Sequence, residues 1–161
     1  IKPHSTFEIN SLEVDRNNLK WSTTKESGSL PFIVEQFKWN KWVEVGVVKG
    51  MGTPEKNEYS FMLTPYSGEN KVRIKQVDYS EEARYSESTM YNPGISKITF
   101  SPEKPETNIS FSRETQYEVF DKYGNLITTG KGKSLDVSSL TSGEKYYLNY
   151  DSSFGETFTK K

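Results

Sequence analysis

Residue types that do chemistry are sparse in this 161-residue chain, and they do not gather. There is one histidine, His4, and no cysteine. A metal centre needs converging ligands, and a nucleophile needs a base within hydrogen-bond reach. His4, beside Pro3 near a chain end, offers neither and reads as a solvated terminal residue. Without cysteine there are no disulfides, no thiol catalysis and no thiolate zinc site. Carboxylates pair at Glu81-Glu82 and at Glu114 with Glu118. Glycoside hydrolysis needs two of them facing across a cleft, one with its pKa raised by burial. These fall in turn-like or exposed strand contexts and read as surface charge. Gly50-Met51-Gly52-Thr53 has the glycines of a phosphate loop, but no helix start follows and no Lys-Ser/Thr pair closes it, so it reads as a turn between strands. The chain is read as a non-enzyme with no cofactor and no metal.

Two clusters suit binding better than catalysis. In Phe37-Lys38-Trp39-Asn40-Lys41-Trp42, alternation places Phe37 and Trp39 on one strand face, with Asn40-Lys41 as the turn and Trp42 opening the next strand. Two exposed indoles, Trp39 and Trp42, would make a stacking platform for a sugar ring; the competing reading packs one in the core and lays the other over the sandwich end. Lys71, Arg73 and Lys75 alternate with Val72 and Ile74 and share one strand face. They would meet an anionic surface such as lipopolysaccharide, or discourage edge pairing as a solvated face. Lysine plus arginine (21) nearly balances aspartate plus glutamate (22), which argues against a nucleic-acid partner.

These residues need strands to hold them. No stretch carries apolar residues at helical spacing, whereas two-residue alternation recurs and turn clusters arrive every 8 to 12 residues. Aromatics at 14% within a hydrophobic total of 32% suit thin β-sandwiches, whose cores draw volume from Trp, Tyr and Phe. The expected fold is all-β, two tandem small β-sandwiches over 1–91 and 92–161, with the border at Asn92-Pro93-Gly94. Expected strands in the first are 7–14, 19–23, 31–37, 42–48, 58–63, 70–77 and 85–91. No apolar run of about 18 residues is present to span a membrane as a helix. The start at Ile1 rather than Met is read as a form with its leader removed.

In the second stretch, a strand is expected with Tyr117, Val119 and Asp121 on one side and Glu118 and Phe120 on the other. Lys122-Tyr123-Gly124-Asn125 reads as a hairpin, with Gly124 and Asn125 able to take φ > 0. Return strands follow at 126–129, 134–137, 146–150 and 157–159, with a polar turn at 138–143 centred on Leu140.

The segments Leu19-Lys20-Trp21-Ser22-Thr23 and Lys71-Val72-Arg73-Ile74-Lys75-Gln76-Val77-Asp78, within seven strands, resemble a fibronectin type III domain of the kind that precedes sorting domains in secreted Bacteroidetes proteins. Val72 stands where that family has an aromatic, and Tyr79-Ser80 lacks its glycine. From about Asn92 onward, YEVFDKYGNLI (Asp121, Gly124, Ile127), LDVSSLTSGEKYYLNY (Leu140, Gly143, Tyr147) and the basic pair Lys160-Lys161 resemble the C-terminal sorting domain of the type IX secretion system. The usual opening Pro-Asn-Pro is absent, and one extra residue separates Gly143 from its aromatic partner.

That resemblance implies an immunoglobulin-like second sandwich and a spacer-plus-address function: export across the outer membrane and attachment at the cell surface. Implied partners are the type IX translocon, an outer-membrane shuttle barrel and a surface sortase, with anionic lipopolysaccharide as the attachment point. The implied recognition residues are Asp121, Gly124, Leu140, Gly143, Tyr147, Lys160 and Lys161. Alternative readings are a surface adhesion or glycan-binding module using Trp39 and Trp42, accessory domains of a larger secreted enzyme, and a structural component that keeps its C-terminal domain uncleaved at the outer membrane.

Overall fold

The computed structural model describes residues 7–161; His4 lies outside them. All regular structure among these residues is β, in thirteen strands. The chain divides into two compact units, Ile1–Pro93 and Gly94–Lys161.

The first unit contains β1 (Glu8–Asp15), β2 (Asn18–Thr24), β3 (Phe32–Lys38), β4 (Lys41–Val48), β5 (Asn57–Met62), β6 (Asn70–Val77), β7 (Ala83–Tyr85) and β8 (Thr89–Tyr91). One sheet has the order β1-β2-β5, the other β4-β3-β6-β7, with β8 also pairing β6. Three strands against five, β7 and β8 sharing the same edge of β6, is a fibronectin type III-like arrangement. Strand β6 shows why the segment folds so: Asn70, Val72, Ile74 and Gln76 are buried while Lys71, Arg73, Lys75 and Val77 face outward. Between the sheets Trp21 stacks on Tyr59 (5.4 Å, 21°), and Phe32 meets both rings at 6.1 and 4.9 Å. Such aromatic pairs contribute ~1 kcal/mol each beyond their buried area.

Three local expectations change. The β3–β4 turn is Trp39-Asn40, both residues left-handed (φ 49 and 67), so Trp39 leaves the strand face it was expected to share with Phe37. The last expected strand splits in two because the Ile74 N–H bonds Ser86 Oγ (2.8 Å) in place of a strand carbonyl, interrupting the ladder. At the missing aromatic, position 72, Val72 is simply core. The β5–β6 connection is tied instead by the buried Asn70 side chain. Its Nδ2 donates to Tyr66 O (2.8 Å) and Gly68 O (3.1 Å), while its Oδ1 accepts from Tyr66 N (3.1 Å) and Gln36 Nε2 (2.8 Å).

The second unit contains β9 (Phe100–Ser101), β10 (Asn108–Phe120), β11 (Leu126–Asp136), β12 (Lys145–Tyr150) and β13 (Ser153–Thr159). Its order is β11-β10-β12-β13, with β9 pairing the first part of β10. The long β10–β11 hairpin shifts register between Ser110 and Thr115. Before that irregularity β10 faces β9; after it β10 faces β12, so one bent ribbon serves both ends of the sheet. Ile98, Ile109, Val119, Leu135, Val137, Leu148 and Phe158 form the core.

Strands expected at 126–129 and 134–137 are one strand, β11. Gly130 does not break it, because the Tyr117 ring covers that backbone, and a Cβ there would come within 2.5 Å of Tyr117 Oη. The strand bearing Tyr117 and Val119 ends at Phe120, so Asp121 belongs to the turn. There Gly124 alone is left-handed (φ 83), and Asn125 is not.

Candidate functional site

In the second unit, the residues singled out from the sequence converge at one end of the sheet. Asp121 Oδ1 accepts the N–H groups of Tyr123 and Asn125 (both 2.9 Å), and its Oδ2 accepts Asn125 Nδ2 (3.1 Å). These bonds, those to Asn125 first, hold the Asp121 carboxyl below the usual carboxylate range. Gly124 and Gly143 (φ 82) face open space, so both are glycine for backbone conformation alone. The neighbouring Lys122 ammonium reaches Glu144 (3.1 Å), tying this turn to the one at Gly143.

The chain end closes the same region. Gly143 N–H donates to Lys160 O (2.7 Å) and Lys160 N–H to Glu144 O (3.0 Å). On its other side, Thr159 N–H reaches Glu103 O (3.0 Å) and Lys161 N–H reaches Pro105 O (2.9 Å). The last three residues are therefore paired along both edges. Lys160 is only 6% exposed and its ammonium donates to Lys161 O (2.9 Å), whereas Lys161 is exposed. Leu140 packs on the core.

The aromatic partner of Gly143 is one residue earlier than expected. Tyr147 is 37% exposed on the outer face, with the Lys145 ammonium 5.7 Å from its ring. Tyr146 is the buried ring: it stacks on Phe158 (5.6 Å, 21°), and its hydroxyl accepts the Thr141 N–H (3.0 Å). A tyrosine whose hydroxyl ties back to upstream backbone is a recurrent sandwich corner. The extra residue after Gly143 shifts the strand parity by one, which places Tyr146 inward and Tyr147 outward.

In the first unit, Trp39 sits at the hairpin tip with the Lys38 ammonium 4.2 Å from its ring centroid. Trp42 lies on the outer face of β4, edge-on to Phe37 (5.4 Å) and 4.1 Å from the Arg73 guanidinium. The Gly50–Thr53 segment is built around a carboxylate of its own chain. Buried Glu26 accepts Thr23 Oγ1 (2.5 Å), Tyr59 Oη (2.7 Å), Asn57 Nδ2 (2.9 Å) and Gly52 N–H (3.1 Å). Met51 N–H donates to Tyr59 Oη (2.9 Å). Burial, before all else, raises the Tyr59 hydroxyl to about 12, so it stays a donor to Glu26. Sequence reasoning missed Glu26 because its partners are up to 33 residues away.

The acidic pairs are accounted for locally. Glu81 and Glu82 belong to the β6–β7 turn, Glu114 pairs Lys131 (3.5 Å), and Glu118 accepts Asn149 Nδ2 (3.1 Å). Among the described residues no three His, Cys, Asp or Glu side chains are grouped to hold a metal ion.

Fold and sites together describe an all-β chain of fibronectin type III and immunoglobulin-like character. No family model matches it, and no curated protein does. Among solved structures it is similar to dimeric latent PorU from Porphyromonas gingivalis (10% identity, 96% of this chain and 20% of that one, TM-score 0.34). It is also similar to a tetra-tandem repeat in the extending region of a large adhesion protein (12%, 96% and 46%, TM-score 0.37). A third likeness is to the chicken interferon gamma receptor alpha chain (13%, 100% and 100%, TM-score 0.37). The chain spans a fifth of the first of these and under half of the second.

Proposed function

We propose that this chain is a non-catalytic region of an exported Bacteroidetes surface protein, in which 1–91 is a spacer and 92–161 is the address read by the type IX secretion machinery. The supporting observation is the convergence at one end of the second unit. The Asp121 turn, the Gly143 turn and the Lys160-Lys161 tail, far apart in sequence, are joined there by Lys122–Glu144 and by the backbone bonds between Gly143, Glu144 and Lys160. A translocon, shuttle barrel or sortase would meet these as one folded surface of loop tips and strand ends. Glycines and Leu140 shape that end; Lys161 and Tyr147 are the groups it presents to solvent. The test joins a fluorescent protein ahead of Ile1 and follows it to the cell surface in a Bacteroidetes host. Translocon-dependent export that is lost on deleting residues 158–161 is the expected result. Export without the translocon, or undiminished by the deletion, sinks the reading.

A further inference from the structure

The outer face of the β4-β3-β6-β7 sheet brings together two features that look separate in sequence, the tryptophan cluster and the basic stripe. Cross-strand register aligns Trp42, Phe37, Lys71 and Met90 in one row, Glu35 opposite Arg73 in the next, and Ile33, Lys75 and Tyr85 in the third. Arg73 sits at the centre, its guanidinium 4.1 Å from the ring centroids of both Trp42 and Tyr85. Its Nε donates to Glu35 Oε1 (2.8 Å), which fixes the plane of the fork. Neither Nη1 nor Nη2 donates a hydrogen bond among the described residues, and the side chain is 21% exposed. The result is a guanidinium held on both faces and at one edge, with its outer edge open. That is the geometry in which arginine takes a carboxylate or phosphate oxygen pair.

Lys71 and Lys75 flank Arg73 along the same strand, each roughly 7 Å away by the strand rise. Lys75 reaches Glu35 only at 4.0 Å, and Lys71 stands 5.8 Å from the Trp42 ring with no carboxylate partner among the described residues. Three cations thus meet two carboxylates on this face, Glu35 and the more distant Glu44.

From this geometry we infer that the outer face of the sheet is a binding site for an acidic polysaccharide, whose uronate or phosphate groups engage Arg73, Lys71 and Lys75 in line while sugar rings lie against Trp42 and Tyr85. The sheet face decides against other polyanions. It offers no backbone groups to satisfy the amides of an acidic peptide, whereas sugar C–H faces need only aromatic walls. A flat anionic membrane cannot reach a guanidinium recessed between two rings; a substituent on a flexible chain can. This site is independent of the export reading, because it lies wholly within the first unit.

The test is calorimetric titration of the full chain with oligomeric alginate, set beside a neutral cello-oligosaccharide, poly-glutamate and phosphatidylglycerol vesicles. Alginate alone is expected to bind, weakening with added salt. Arg73→Gln should reduce affinity about tenfold or more, and Arg73→Lys should lose most of that too, since the charge survives but the fork does not. Lys71→Gln, at a position that leaves the core untouched, should cost about threefold, and Glu44→Gln should strengthen binding. No alginate binding by the parent chain, equal binding of poly-glutamate or of vesicles, or affinity unchanged in both Arg73→Lys and Lys71→Gln overturns the inference.

Discussion

The two units share one turn, built atom for atom in the same way from different residues. In the β10–β11 hairpin, Asp121 N–H bonds Asn125 O (3.0 Å), Gly124 N–H bonds Asp121 O (3.1 Å), and Asp121 Oδ1 receives the N–H groups of Tyr123 and Asn125. In the β6–β7 hairpin, Asp78 N–H bonds Glu82 O (3.0 Å), Glu81 N–H bonds Asp78 O (3.0 Å), and Asp78 Oδ1 receives Ser80 N–H (2.9 Å) and Glu82 N–H (3.0 Å). The left-handed position is Gly124 (φ 83) in one and Glu81 (φ 64) in the other. What the turn requires, then, is the leading aspartate; the glycine only relieves strain. Each aspartate also accepts a side-chain bond, Asp78 from Ser80 Oγ (2.8 Å) and Asp121 from Asn125 Nδ2 (3.1 Å); what sets Asp78 apart is that it is buried, where Asp121 is not.

That comparison can be broken most forcefully at Asp78. Asp78→Ala removes a buried side chain that accepts three part-buried hydrogen bonds and should cost about 2 kcal/mol. Tryptophan fluorescence during urea unfolding reads this unit alone, since Trp21, Trp39 and Trp42 all lie in it. Asp121→Ala should destabilise its own unit by less, as water reaches the freed N–H groups; hydrogen exchange at Tyr123 and Asn125 will register the difference. A loss at Asp121 equal to that at Asp78 would show that burial is not what separates the two turns.

The left-handed position sharpens the comparison in opposite directions. Gly124→Ala should cost about 1 kcal/mol, since a Cβ there is strained whatever the space around it. Glu81→Gly should stabilise the first unit by about 0.5 kcal/mol, the relief of strain being partly offset by greater freedom of the unfolded chain. Thermal melts of the two variants check both signs. If Glu81→Gly destabilises, its side chain is held by something more than the turn.

The smallest effect expected is the pH dependence of the Asp121 turn. The folded carboxyl titrates lower than it would unfolded, and bonds from Ser138 lower Asp136 likewise. Their contribution is present above the unfolded pKa of about 3.9 and disappears as pH falls through the lower folded values. An acid titration of second-unit amides by NMR should show a modest loss of protection in that window, smaller in Asp121→Asn and absent when Asp136→Asn is added.

How much of this was legible in the chain varies by element. Strand β6 reads directly, its alternation from Asn70 to Val77 marking the burial pattern residue by residue. The hairpin after β10 is plain at Gly124, which announces its backbone, but not at Asp121, which reads as strand, or at Asn125, which reads as able to be left-handed. The matching turn at Asp78 is not, because Glu81 carries no mark of the left-handed conformation that its neighbours impose. The Trp39-Asn40 turn was displaced by one residue for the same reason: Trp39 holds φ 49, a conformation its side chain does not favour. Tyr146 and Tyr147 could not be told apart in sequence, since parity after an irregular turn is set by where the strand resumes pairing.

Sequence alone determined the all-β class and the faces of the regular strands, because polar and apolar residues alternate at a period only a pleated strand can use. It also carried the turns that a glycine marks, such as the one at Gly124. Only the tertiary structure decided what meets across the sheets: Glu26 with Asn57 and Tyr59, Gly143 with Lys160, and Arg73 between Trp42 and Tyr85. Those partners lie on different strands, and cross-strand register, fixed by bulges and by packing rather than by local pattern, chooses which side chains touch.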